Sequence, residues 1–127
     1  MVLVDSSVWI GLQKAGFHDL LDGEEPVVCL PVIQEVLQGA RSEREFRGMR
    51  EVFRTMTVLE SPLTFELFEH AAVIYRTARA AGYTIRSMND CLIAACAIRN
   101  GVRVIHNDRD FTVIARVTTL EHRNLAN

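Results

Sequence analysis

The sequence predicts an α/β fold in which a parallel sheet lies between two helical layers, and three observations predict it. Short β-branched runs recur at Val2–Val4, Val27–Leu30, Thr57–Glu60 and Val102–Ile105. The stretches between them carry apolar residues at helical spacing and are long enough to cross back to a parallel neighbour. Gly or Pro marks most of the boundaries. The expected architecture is therefore a three-layer α/β/α sandwich around a central, mainly parallel sheet of four to five strands. Residues 1–127 are expected to form a single domain, because a chain of this length has room for one core.

The elements follow in order. Val2–Val4 is a short buried strand, and Ser6 or Ser7 is placed to cap a helix running through Val8, Trp9, Ile10 and Leu12 to Gly16. A short polar segment between Gly16 and Gly23 leads to the second strand, Val27–Leu30. Pro31 then suits the first turn of a helix through Val32, Ile33, Val36 and Leu37 to Gly39. Ser42 is a cap for a third helix to Met56, whose Arg and Glu residues at spacings of three and four describe a solvated, ion-paired face.

The third strand, Thr57–Glu60, ends at Ser61-Pro62. A long helix follows with Leu67, Phe68, Ala71, Ile74, Tyr75, Ala78 and Ala81 on one stripe, and stops at Gly82. Ser87 opens another helix that is apolar nearly all round from Cys91 to Ile98 and reaches Gly101, so it is expected to be covered on most sides. Val102–Ile105 is the fourth strand. The tail, with Ile114, Val117 and Leu120, adds a short helix and an edge strand.

Composition narrows the function classes. Hydrophobic residues make up 49% and charged residues 24%, with no apolar run near the roughly 20 residues that span a bilayer, so a soluble protein with no membrane contact is expected. Met1 leads straight into strand-like sequence without the pattern of a secretory signal, which makes the cytoplasm the expected compartment. The formal net charge of −2 argues against bulk attraction to nucleic acid but leaves local patches open. Cys29, Cys91 and Cys96 stand in apolar surroundings without metal-ligand spacing and are expected to be buried, reduced thiols.

Four acids stand out. Asp5 and Asp108 come directly or nearly directly after strands, while Glu35 and Asp90 lie in the first turns of helices. Strand ends of a parallel sheet share one edge, and that edge is where α/β proteins bind ligands. Four carboxylates gathered there repel one another by several kcal/mol unless a cation compensates them. A hard divalent ion takes oxygen ligands and meets phosphate oxygens, so an all-carboxylate site points to phosphoryl chemistry. Each acid also has a plain structural alternative. Asp5 is in a helix-cap position, Glu35 on a solvated helix face, Asp90 in a Ser-x-x-Asp capping box with Ser87, and Asp108 and Asp110 in a turn.

The segments Val2-Leu3-Val4-Asp5-Ser6-Ser7-Val8-Trp9-Ile10, Leu30-Pro31 before Val32-Ile33-Gln34-Glu35-Val36, Asn89-Asp90-Cys91-Leu92-Ile93-Ala94-Ala95 and Asn107-Asp108-Arg109-Asp110-Phe111 together resemble PIN-domain ribonucleases. In size and order the chain resembles the VapC toxins of prokaryotic VapBC toxin-antitoxin modules. The resemblance runs from Asp5 to Phe111 and rests on the joint order and spacing of the motifs.

It implies a PIN-like fold and a metal-dependent endoribonuclease whose acids are Asp5, Glu35, Asp90 and Asp108. Asp5, Asp90 and Asp108 would hold Mg²⁺ or Mn²⁺, Glu35 would complete the site, and Asp110 would be an outer member. A metal-activated water would cut an RNA phosphodiester, leaving a 5′-phosphate and a 3′-hydroxyl. Ser6 matches a hydroxyl position beside the first acid and is either a ligand brace or a helix cap. Arg86 is either a contact for RNA phosphate or for the uncompensated acids, or an ordinary surface Arg. His106 departs from the pattern, since Thr or Ser is more usual two residues before the fourth acid.

The resemblance also implies a homodimer, a VapB-type antitoxin as partner and tRNA, rRNA or mRNA as substrate. Two other functions fit the same residues. One is a housekeeping PIN nuclease in RNA processing; the other is a non-catalytic PIN-like RNA- or protein-binding module, against which four intact acids argue. A phosphatase of the haloacid-dehalogenase type would need Asp at the place of Ser7.

Overall fold

The computed structural model describes residues 1–11 and 17–126. Its sheet has five strands, β1 (Val2–Val4), β2 (Pro26–Cys29), β3 (Thr57–Leu59), β4 (Arg103–His106) and β5 (His122–Asn124), in the order β3-β2-β1-β4-β5. Every pairing is parallel, with Val2 opposite Pro26 on one side of β1 and opposite Arg103 on the other. The described helices are α1 (Ser6–Gly11), α2 (Phe17–Leu20), α3 (Leu30–Gln38), α4 (Glu43–Arg54), α5 (Phe65–Ala80), α6 (Met88–Asn100) and α7 (Arg109–Val117).

Strand periodicity divides the core between the two faces of the sheet. Val2, Val4 and Ile105 pack with Val8 and Leu21 on one face. Leu3 and Val104 join the larger core that takes in Leu67, Ile74, Ile93, Phe111 and Ile114 on the other. Residues Cys91 to Ala97 of α6 are all buried, as an apolar helix without a polar face must be. Gly101 ends α6 in the left-handed conformation, φ 63°, which a residue without Cβ adopts at no steric cost.

The chain lays down β1, β2 and β3 in one direction and then returns through α5 and α6 to place β4 on the other side of β1. The order therefore reverses between β1 and β4, and parallel α/β sheets bind their ligands at such a reversal. Among the described residues no helix is long and apolar enough to cross a membrane.

Several boundaries differ from the sequence expectation. Leu30 is the first residue of α3 rather than the end of β2, and Glu60 lies outside β3 in the left-handed region. His106 completes β4, and Val102 precedes it. The polar segment before Gly23 contains α2, too short to show a helical period. Neither Ser6 nor Ser7 caps α1; the helix starts at Ser6, and the Ser7 amide donates to Asp5 Oδ2 at 3.1 Å. The expected end of that helix at Leu12 to Gly16 lies outside the described residues. On α5, Phe68 is exposed although it was placed on the buried stripe, while Leu67, Ala71, Ile74 and Ala78 are buried.

Candidate functional site

Asp5 sits one residue beyond β1, its amide tied to the Ile105 carbonyl at 3.0 Å, so the ends of the two central strands are clamped together. Asp108 follows β4 by two residues. Asp90 projects from the first turn of α6, the helix that covers this edge, and Glu35 from α3. Asp5, Asp90 and Asp110 are buried, while Asp108 and Glu35 are half-buried.

The acids gather at this edge. Carboxylate oxygens of Asp90, Asp108 and Asp110 lie within 4.8 Å of one another. Asp5 is close enough to feel them, since its charge acts on Asp90 and the charge of Glu35 acts on it. Glu35 Oε1 accepts from Ser6 Oγ at 3.1 Å, which makes Ser6 a tether between α1 and α3 rather than a cap. Asp110 is more deeply buried than the outer place implied for it. Its two oxygens accept from the amides of Arg86 (3.1 and 3.0 Å) and Ser87 (2.9 Å), pinning the approach to α6 beside Asp108.

The structural alternatives for the acids hold only in part. Ser87 makes no side-chain cap bond, so Asp90 belongs to no capping box, and its Oδ2 is buried without a hydrogen-bond partner. Asp5 Oδ1 is likewise buried and unpartnered. Asp108 does cap a helix, since its Oδ1 accepts from the Asp110 amide at 2.9 Å, yet this occupies only one of its oxygens. Two orphaned, buried carboxylate oxygens cost several kcal/mol in a neutral core and are what a cation site contains.

Protonation follows from the crowding. Burial raises Asp5 from 3.8 to about 6, against the hydrogen bonds from Ser7 and with the Glu35 carboxylate adding to the rise. Burial, and next the charge of Asp108, pushes Asp90 up to about 10; hydrogen bonding with Asp110 and the charges of Asp5 and Asp110 act in the same direction. Without a counter-cation the acids share at least one proton, and Asp90 is its preferred seat. A divalent ion would displace that proton and satisfy the orphaned oxygens together. The residues thus fit a hard cation, for which Asp90 and Asp108 would supply oxygens from the compact trio and Asp5 one from the end of β1.

Two residues answer the question posed by His106. The side chain that braces Asp5 is Ser7, whose Oγ donates to Asp5 Oδ2 at 2.5 Å and accepts from the Asn107 amide at 2.9 Å. Sequence reasoning did not give Ser7 this place, although the doubled hydroxyl after Asp5 was its signal. His106 is fully buried. Its Nδ1 accepts from the Asp108 amide at 3.2 Å, which assigns the proton to Nε2 and lets it donate to His122 Nδ1 at 2.8 Å. Burial, and then the charge of His122, lowers His106 to about 4, so this imidazole is neutral and acts by holding the turn that carries Asp108.

Arg86 contributes its main chain to Asp110, but among the described residues its side chain makes no ion pair with the acids. That side chain lines a groove of about 960 Å³ between α5 and α6, with Phe68, Tyr75, Arg76, Arg79 and Met88. Of the other aromatic residues, Trp9 and Phe53 stack edge to face in the core, their ring centres 5.2 Å apart.

Comparison with known proteins gives three concordant findings. Residues 2–117 match the family model described as PIN domain. The chain is 39% identical over 130 residues to Ribonuclease VapC11 of Mycobacterium tuberculosis, with 95% of this chain and 96% of that one covered. In fold it is similar to VapBC-1 from nontypeable Haemophilus influenzae (TM-score 0.77, 19% identity, all of both chains) and to DNA-bound VapBC from Salmonella typhimurium (TM-score 0.78, 16% identity, 98% of both).

Proposed function

The chain belongs to the PIN-domain family and, within it, to the VapC ribonucleases, and from that premise we propose that it is an Mg²⁺-dependent endoribonuclease acting as the toxin of a VapBC module. The observation that supports the metal dependence is the cluster of Asp90, Asp108 and Asp110 at the strand ends, together with Asp5 Oδ1 and Asp90 Oδ2 buried and unpartnered. In this reading residues 1–127 are one PIN domain that works in the cytoplasm as a homodimer. A VapB-type antitoxin restrains it, and its substrate is tRNA, rRNA or mRNA.

Asp5, Asp90 and Asp108 would hold Mg²⁺, with Mn²⁺ as a substitute. When bound, such an ion would supply Lewis-acid stabilisation of phosphate oxygens and an acidified water as nucleophile at neutral pH. The remaining work falls to the side chains. Glu35, held by Ser6, orients the attacking water and receives its proton. Ser7 fixes the Asp5 carboxylate in one rotamer, and Asp110 fixes the loop before α6 so that Asp90 meets Asp108. The expected products are a 5′-phosphate and a 3′-hydroxyl, with no covalent enzyme intermediate.

The decisive experiment is cleavage of purified total RNA by the isolated protein in Mg²⁺, in Mn²⁺ and in EDTA, alongside Asp5→Asn, with the ends mapped. Cleavage confined to the metal arms, with 5′-phosphate ends and lost in Asp5→Asn, supports the reading. Intact binding of Mn²⁺ by calorimetry, without cleavage of any RNA class, overturns the nuclease while keeping the metal site. Cleavage that survives EDTA overturns the metal dependence.

A further inference from the structure

The edge strand β5 reaches the acids through a pair of histidines. In the β4–β5 register Val104 lies opposite His122 and His106 opposite Asn124, so these four side chains share one face of the sheet and the two imidazoles are diagonal neighbours. Helix α7 packs on that face. The Phe111 ring lies 5.1 Å from the His106 ring, centre to centre, and Asn124 Nδ2 donates to Thr112 Oγ1 at 3.3 Å. His106 is fully buried there, while His122 is half-buried at the margin.

A hydroxyl rotates to donate or accept as its neighbours require. A neutral imidazole has one donor and one acceptor, and its surroundings must fix which nitrogen is which. Two contacts do so for His106. A backbone amide can only donate, so the Asp108 amide, 3.2 Å away, makes Nδ1 the acceptor. Nε2 then carries the proton, and among the described residues its acceptor is His122 Nδ1 at 2.8 Å. In the opposite tautomer two donors would meet at Asp108 and two lone pairs at His122, so each bond enforces the other. Without His122 the buried Nε2–H would lose its acceptor. The ring escapes that cost by moving its proton to Nδ1 or by turning, and either change gives up the Asp108 amide.

The turn at Asp108 has few other holds. Its amide is tied back to β4 through His106, and its Oδ1 is tied forward to the Asp110 amide at 2.9 Å. Between these two bonds stands the carboxylate whose oxygens come within 4.8 Å of those of Asp90 and Asp110. The main chain of β5 secures the other partner, since the Leu125 amide donates to the His106 carbonyl at 2.8 Å.

We propose that His122 is a positioning residue for Asp108 that acts through His106: by accepting the Nε2 proton it holds the tautomer whose Nδ1 anchors the Asp108 amide, and so sets the Asp108 carboxylate for a cation. The assignment rests on the metal site of the proposed function and gives β5 a part in it, independently of whether the acids cut RNA.

Nitrogen NMR of the isotope-labelled full chain, free of metal, reads the tautomer directly. His106 is expected to carry a slowly exchanging proton on Nε2, coupled across the hydrogen bond to His122 Nδ1; a proton on Nδ1 overturns the proposal without any variant. Two substitutions then separate acceptor from bulk, with circular dichroism to verify folding. His122→Asn offers a carbonyl oxygen near the place of Nδ1, and His122→Leu has a similar shape without an acceptor. In calorimetry His122→Leu should raise the Mn²⁺ Kd by roughly tenfold or more and leave the Nε2 proton open to exchange, whereas His122→Asn should stay within about threefold of the wild type. Asn124→Ala, which loosens β5 from α7 and leaves the histidines intact, should also stay within that range. An unchanged Kd in His122→Leu, or an equal loss in Asn124→Ala, overturns the positioning role and leaves the metal site standing. A wild-type chain that shows the Nε2 tautomer but binds no Mn²⁺ overturns the metal site and this role together.

Discussion

The two edges of the same sheet treat their acids in opposite ways. At the edge where β1 and β4 begin, Glu24 and Asp22 have cationic partners. Arg103 binds Glu24, the Met1 amino group lies 4.0 Å from Glu24, and Arg123 reaches Asp22 at 3.5 Å. At the edge where those strands end, Asp90, Asp108 and Asp110 crowd together with Asp5 and Glu35 near by, and none of the described arginines pairs with them. The chain has 14 basic residues, and among the described ones none forms an ion pair with these acids. Neutralised charge stabilises a fold; charge left uncompensated and buried costs stability and is retained for what it binds.

The largest test of this contrast is catalytic. Asp90→Asn should lower RNA cleavage by roughly a hundredfold or more, because it removes an oxygen from the metal site. Arg103→Ala at the opposite edge should leave the rate within about threefold. Equal losses in a steady-state cleavage assay would erase the distinction between the edges.

Ser7→Ala probes the support of Asp5. Losing an outer-shell partner typically weakens a metal site by about tenfold to a hundredfold, so Mn²⁺ affinity should fall by that order while Asp5 remains in place. The Ser7 hydroxyl also favours the charged form of Asp5, so the pH needed for half-maximal Mn²⁺ binding should move upward in the variant. An unchanged binding isotherm would reduce Ser7 to a turn residue.

Stability sharpens the contrast in both directions. In EDTA at neutral pH, Asp90→Asn should raise Tm by several degrees, since the amide is spared the proton that folding forces onto the buried Asp90 carboxyl, raised to about 10, while the unfolded chain leaves it ionised. For the metal-free wild-type chain, Asp5 ionises near 3.8 when unfolded and at about 6 when folded. Between these values the folded chain holds a proton that the unfolded chain has released, so stability is fully present below about pH 4 and declines as pH rises through 6. A stability that instead rose across this range would mean that the ionised acid is well solvated.

The smallest effect is expected at the paired edge. Arg123→Ala breaks an exposed contact to Asp22 and should cost less than about 0.5 kcal/mol in urea unfolding. The loss should shrink further at high salt.

How much of this was legible beforehand depends on the range of the interaction. The strands, their alternation with helices and the family were readable, because a β-branched run, a helical stripe and a glycine stop are written in neighbouring residues. That Asp5 and Asp108 follow strands was readable for the same reason. Parallel order then brings their sheet edge into view before any coordinate is known. Exposure of Phe68 was not readable, since the stripe on α5 is continuous and only the position of the neighbouring helices decides which of its margins is covered.

The sequence by itself determined the alternation of elements, the inventory of acids and the family, all of which live in local pattern. Tertiary structure alone decided that β4 returns beside β1, that Ser7 rather than His106 braces Asp5, and that Asp110 pins the approach to α6. It also decided that Asp90 is the favoured seat of the shared proton. The physical reason is distance along the chain. Ser6 meets Glu35 across 29 residues, Arg86 meets Asp110 across 24 and Ser7 meets Asn107 across 100. Contacts of that span, and the desolvation they impose on a carboxylate, exist only after the crossovers have closed.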